Sequence, residues 1–161
     1  LEQPQLVLNI PSGLCMVPLH LAIETQVGLQ TADAQENELW IGYDRTQVQA
    51  NGTSVAVTPE NMRTDLAATT APFTSRSTYT ADGVATPVIV TLARNQAQSD
   101  LQGIATNMNL YQFNLRYEPI VSPIICGPAN ISFYWGGAIA LPGFARAFVL
   151  AFPTALINVL S

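Results

Sequence analysis

The stretch Tyr111-Gln112-Phe113-Asn114-Leu115-Arg116-Tyr117-Glu118 places a large apolar side chain at every second position and a polar or charged one between. A period of two belongs to a β-strand, whose successive side chains point to opposite faces. The stretch therefore reads as a half-buried strand with its aromatic face turned inward. The same period recurs on both sides of it. Val17, Leu19, Leu21 and Ile23 alternate with Pro18, His20, Ala22 and Glu24. Leu39, Ile41 and Tyr43 repeat the pattern, as do Val55 and Val57, then Val88, Val90 and Leu92, then Ile131, Phe133 and Trp135. In the last run Phe148, Leu150 and Phe152 face one way and Ala147, Val149 and Ala151 the other. Both rows are apolar, which predicts a strand buried on both faces or held in a subunit contact.

Turn-forming residues separate the runs: Pro11-Ser12-Gly13, Asn51-Gly52, Asp82-Gly83, Gly127-Pro128 and Pro142-Gly143. Residues 28–37, 60–70 and 95–107 are polar and read as loops, with a turn or two of helix over Glu60–Ala68. No segment sustains the 3.6-residue period of a long helix. Short strands with turns between them predict an all-β chain folded as an antiparallel β-sandwich, with a single eight-stranded jelly roll as the leading topology. An immunoglobulin-like sandwich fits less well, because its Cys…Trp…Cys spacing is missing. Residues 1–161 read as one sandwich domain in which 154–161 form an apolar tail.

The chain contains no lysine, and His20 is its single histidine. Six arginines and eleven carboxylates are scattered singly, so charged residues amount to 11%, against about 25% in ordinary soluble domains. So little charge predicts a surface partly covered by copies of the same chain. The net charge is −5, and no basic patch exists to follow a phosphate backbone, so direct contact with nucleic acid is not expected. The missing lysine excludes lysine Schiff-base chemistry and a Lys–Asn cross-link within the chain. The apolar run from Phe144 to Leu160 is interrupted by Arg146, Pro153 and Asn158. A spanning helix needs about 20 predominantly apolar residues, so no membrane span is expected.

Each candidate for chemistry has a plainer reading. His20 falls on the outward side of its strand with no second histidine, and reads as a surface or interface residue. No Gly-x-Ser-x-Gly elbow supports a serine nucleophile. Asp33, Glu36, Glu38 and Asp44 are the densest carboxylate group, but their spacing matches no calcium loop and they read as solvated. Cys15 and Cys126 are too few for a zinc site. They read as buried free thiols, with one disulfide closing a long loop as the alternative. Asn51-Gly52-Thr53 and Asn130-Ile131-Ser132 match the glycosylation pattern, and read instead as a hairpin turn and a strand start. Trp40, Tyr43, Tyr134 and Trp135 could line a sugar platform, although strand aromatics more often anchor a core or an interface. No cofactor, metal or enzymatic activity is expected.

Three groups of segments carry a resemblance. The first is Ile10-Pro11-Ser12-Gly13, then Met16–Leu21 and Glu38–Gly42. The second is Asn61–Asp65, Ser77–Thr80 and Asp82-Gly83. The third runs from Pro119 through Cys126-Gly127-Pro128-Ala129 to Trp135, then Leu141–Phe144 and the apolar strand after it. Over about Leu6 to Pro153 the chain resembles single-jelly-roll virion structural proteins, coat or coat-associated, of viruses and phages. The resemblance implies a non-enzymatic subunit, located in the virion, that self-assembles into a capsid or other virion layer. Its partners would be itself and other virion structural proteins. Ile10–Gly13 and Gly127–Ala129 would be tight turns that set strand register.

Assembly of this kind would use Phe144, Phe148, Phe152, Leu156 and Ile157, with Trp40 and Tyr134 as anchors. One rival reading is an extracellular filament or pilus subunit in which a strand, Leu6–Ile10 or the tail 154–161, completes a neighbour's sandwich. Another is a β-sandwich sugar-binding module.

Overall fold

The computed structural model describes residues 4–27, 35–46, 53–62, 71–78, 89–99, 111–137 and 143–157. The fold is all-β, with antiparallel pairing throughout both sheets and a single 3-10 turn as its helical content among the described residues. Ten strands occur there: β1 Leu6–Ile10, β2 Leu14–Val27, β3 Gln35–Asp44, β4 Val55–Val57, β5 Thr74–Ser77, β6 Ile89–Ser99, β7 Tyr111–Tyr117, β8 Ile125–Cys126, β9 Ala129–Gly137 and β10 Gly143–Pro153. The first sheet has the order β4-β5-β1-β9-β3-β6, and the second β10-β2-β7 with β8 also pairing β2. Side chains from both sheets meet in one core, built on Leu8, Ile10, Ile41, Ile131 and Phe133 from the first and Met16, Leu21, Ile23 and Leu115 from the second. This is a sandwich-like arrangement in which the inward rows of two sheets bury each other.

The alternations in β3, β7 and β9 behave as the period of two requires. Leu39, Ile41, Ile131 and Phe133 are fully buried, Leu115 nearly so, and Trp135 and Tyr117 pack on the rim of the core. The alternation in β2 does not hold along its whole length. Its register against β10 shifts where Phe148 pairs His20 and Val149 pairs Pro18, which leaves Leu19 as an extra residue. A bulge reverses the inside–outside parity of everything beyond it. Leu14, Met16 and Pro18 point inward before the bulge and Leu21, Ile23 and Thr25 after it, while Leu19 is 55% exposed.

Two segments expected as loops prove to be strand at their edges. Gln35–Asn37 pair with Ala97–Ser99, and Asn95 and Gln96 with Leu39 and Glu38, at the polar ends of β3 and β6. The expected turns at Asn51-Gly52 and Asp82-Gly83, and most of the short helix over Glu60–Ala68, lie outside the described residues.

The chain passes from the first sheet to the second at Pro11-Ser12-Gly13, and two other segments converge there. Gly13 adopts φ 84°, a conformation that costs a residue with a Cβ. Leu14 N–H donates to the Pro11 carbonyl, Gly127 N–H to the Leu14 carbonyl and Thr154 N–H to the Gly13 carbonyl. Gly127 lies so close that an added methyl carbon would sit 2.2 Å from the Pro11 carbonyl oxygen. Beside this corner Cys15 and Cys126 are joined in a disulfide. The expectation of two free thiols is therefore corrected. Cys15 stands directly opposite Cys126 in the β2–β8 pairing, a proximity that sequence spacing does not reveal.

Candidate assembly surface

β10 forms the edge of the second sheet, and among the described residues it pairs only with β2. Its two rows differ in size. Ala145, Ala147, Val149 and Ala151 point inward and pack on the core. Phe144, Phe148 and Leu150 point outward and are 54%, 40% and 54% exposed. The strand is thus half-buried on one face and exposed on the other, which corrects the expectation of burial on both faces. Large side chains exposed in a row on a regular strand are unusual for a surface that meets only water. Leu150 and the bulged Leu19 belong to this ridge too; the sequence alternation put Leu150 in the row of Phe148 without naming it a contact residue, and read Leu19 as inward. Leu19 could not be placed there without the bulge, which depends on the partner strand.

Charged groups lie within the ridge but are paired. Arg146 binds Glu24 on the neighbouring strand, and its guanidinium sits 5.6 Å from the Phe144 ring centroid. His20 Nδ1 lies 2.9 Å from Glu118 Oε1, and the imidazole is tilted against Phe148 at 5.7 Å. His20 is accordingly a surface residue tied to one carboxylate and one aromatic ring. Phe152 is half-buried at the disulfide end of β10, where it pairs with Cys15. Leu156 is exposed and Ile157 half-buried in and after the 3-10 turn Thr154–Leu156.

A second exposed apolar feature is the loop from β7 to β8. Ile120, Val121 and Ile124 project from it, and Ser122 Oγ donates to the Pro18 carbonyl at 2.7 Å, fixing the loop to β2.

Trp40 and Tyr134 lie elsewhere, on the outer face of the first sheet. They stand opposite each other across β3 and β9 and stack with ring centroids 4.9 Å apart. Trp40 Nε1 donates to Thr91 Oγ1 at 3.0 Å. Tyr134 is only 5% exposed, so of the two Trp40 alone offers surface. Tyr43 and Trp135 pack against the core instead. The four aromatics read as a sugar platform are thereby divided between the two faces of one sheet.

Of the four clustered carboxylates Asp33 lies outside the described residues, and two of the others take structural roles. Glu38 pairs with Arg94, and Asp44 is buried and accepts from the Thr46 backbone N–H at 2.8 Å. No group of three or more potential metal ligands occurs among the described residues. Asn130 and Ser132 are both buried, and Ser132 Oγ donates to Asn130 Oδ1 at 2.8 Å. That leaves Asn130 inaccessible to a glycosylating enzyme in the folded chain. Among the described residues no helix is long and apolar enough to cross a membrane.

Between the sheets lies a cleft of about 1160 Å³. Its walls are both rows of β10, with Leu19, on one side and Leu6, Leu8, Phe73 and Ser75 on the other, so it wraps the free edge of that strand. Residues 59–62 border it as well. The cleft exists because the first sheet is six strands wide while β10, β2 and β7 make the second only three wide. The small side chains of β10 then leave the space unfilled. No protein-family model, curated protein or solved structure matches the chain.

Proposed function

We propose that this chain is a non-enzymatic structural subunit that assembles with copies of itself through apolar strand surfaces, as a coat or coat-associated layer of a virion. The observation that carries the reading is the outward ridge of β10. Phe144, Phe148 and Leu150 stand exposed beside Leu19 on one sheet face. Removing such a row from water stabilises a contact by about 25 cal/mol per Å². A subunit with 11% charged residues has few repulsive charges to set against that contact. The resemblance of its turn and strand motifs to single-jelly-roll virion proteins supplies the virion reading, and the two antiparallel sheets are compatible with that body plan. Assembly partners would be copies of the chain and other virion structural proteins.

The test is sedimentation velocity and electron microscopy of the purified protein. Ordered particles that form as concentration rises, and dissociate on mutating the ridge, are expected. A protein that stays monomeric at high concentration would overturn the reading.

The extracellular filament reading is favoured by a different observation, the open cleft beside an edge strand. Leu6–Ile10 is an interior strand of the first sheet, paired on both sides. Of the two segments considered as donors, that leaves the one after β10.

A further inference from the structure

We propose that the cleft beside β10 accepts one extended segment, Thr154–Ser161, from a second copy of this chain. The inference rests on the self-assembly reading and adds a second contact beside the ridge.

Three observations lead to a strand rather than a compact ligand. The free edge of β10 runs for eleven residues with no partner but β2 among the described residues. An unpaired edge offers backbone donors and acceptors that only another extended backbone satisfies in full. The first sheet continues as β5 and β4 beyond the strands that face the second sheet, and Val55 and Val57 on β4 are exposed. A strand added to β10 would lie over this overhang. Its inward side chains would enter the 1160 Å³ cleft, where Ala145, Ala147 and Ala151 leave room for larger groups.

The layers also exclude one donor. Pairing β10 with the β10 of another copy would set the strands about 4.8 Å apart. The overhanging β4 and β5 of both copies would then compete for the same space beneath the seam. The donor must be a segment that brings no sheet of its own.

Thr154–Ser161 meets that condition. It contains no charged residue, and in extended form Ala155, Ile157 and Val159 make one apolar, largely β-branched face. Thr154 N–H donates to the Gly13 carbonyl, but little side-chain burial holds the turn that follows it. No residue of the 3-10 turn is buried, and the turn has no side-chain cap. Thr154 Oγ1 is buried there without a hydrogen-bond partner, a cost the turn carries for as long as it persists.

Two variants separate the halves of the contact. Ala147→Trp fills the acceptor cleft and leaves the donor intact. Ile157→Asp combined with Val159→Asp spoils the donor and leaves the cleft intact. Each protein alone is expected to lose assembly, and an equimolar mixture to form a one-to-one heterodimer by native mass spectrometry. Ala151→Trp, in the same inward row, replaces Ala147→Trp if that variant lacks a cooperative thermal transition. Assembly retained by either type of variant, or a mixture that stays monomeric, overturns the strand exchange. Wild-type protein that never assembles overturns the self-assembly reading along with it.

Discussion

Cys15 and Cys126 face each other across β2 and β8 and are covalently joined, although 111 residues separate them in sequence. The bond ties the start of β2 to the segment that turns into β9, beside the corner where the chain changes sheet. A cross-link over so long a loop restricts the unfolded chain strongly, by about 4–5 kcal/mol in the chain-entropy account. Replacing both cysteines by alanine should lower the unfolding free energy by up to that amount, read as a lower urea midpoint. Reducing agent should have the same effect on the wild-type protein and none on the variant.

The corner itself makes a ranked prediction from two glycines. Gly13 has φ 84° but open space around its Cβ position, whereas Gly127 is pressed against the Pro11 and Ile10 carbonyls. Gly13→Ala should therefore cost only the left-handed backbone penalty, about 1–2 kcal/mol. Gly127→Ala must push backbone apart and should cost more, about 3 kcal/mol. Thermal unfolding of the two variants orders them; a smaller loss for Gly127→Ala would contradict the close approach.

Core and ridge should respond differently to truncation. Phe133 is fully buried, and Phe133→Ala should destabilise the subunit by about 3–5 kcal/mol. Leu150 is half exposed on the outer row, so Leu150→Asp should change subunit stability by no more than about 0.5 kcal/mol. The same substitution should weaken self-association about tenfold or more, because a contact residue near the centre of an interface carries a disproportionate share of its energy. Chemical denaturation and sedimentation, run on both variants, separate the two effects.

Tyr117 adds a dependence on alkaline pH. Burial raises its phenol above the ordinary value near 10, and the neighbouring Tyr43 adds to the rise. A group with a raised folded-state pKa contributes its full stability below the unfolded value. That contribution is lost as pH climbs from about 10 through the folded value. Tyr117→Phe should flatten the fall in stability above pH 10. In a spectrophotometric titration one phenolate forming above the ordinary value should be missing from this variant.

Much of the fold was legible because several strands are regular and lie between partners. In β3 and β9 a period of two in the sequence became alternating rows, with Leu39, Ile41, Ile131 and Phe133 on the inward one. The polar segments at 35–37 and 95–99 misled because polarity marks exposure to water, not absence of strand. Those residues lie in the paired ends of β3 and β6. Leu19 misled because a single bulge reverses every side chain beyond it, and the bulge is a property of two strands together. The disulfide was illegible because two cysteines carry no record of their distance in space.

The candidate site divides in the same way. Phe144 and Phe148 could be placed on one row from alternation alone, and both stand exposed. Tyr134 was read beside them, yet it lies on the other sheet and is almost inaccessible. The cleft had no signal in the sequence, because it is a difference in width between two sheets.

The local alternation of side chains by itself determined that this chain is built of antiparallel strands with little charged surface. That information is local, because each residue's face follows from its immediate neighbours along the strand. Only the tertiary structure decided which strand became the open edge, where the layers fail to cover each other and which cysteine met which. Those depend on the order of strands in each sheet, and strand order is set by contacts between residues far apart in the chain.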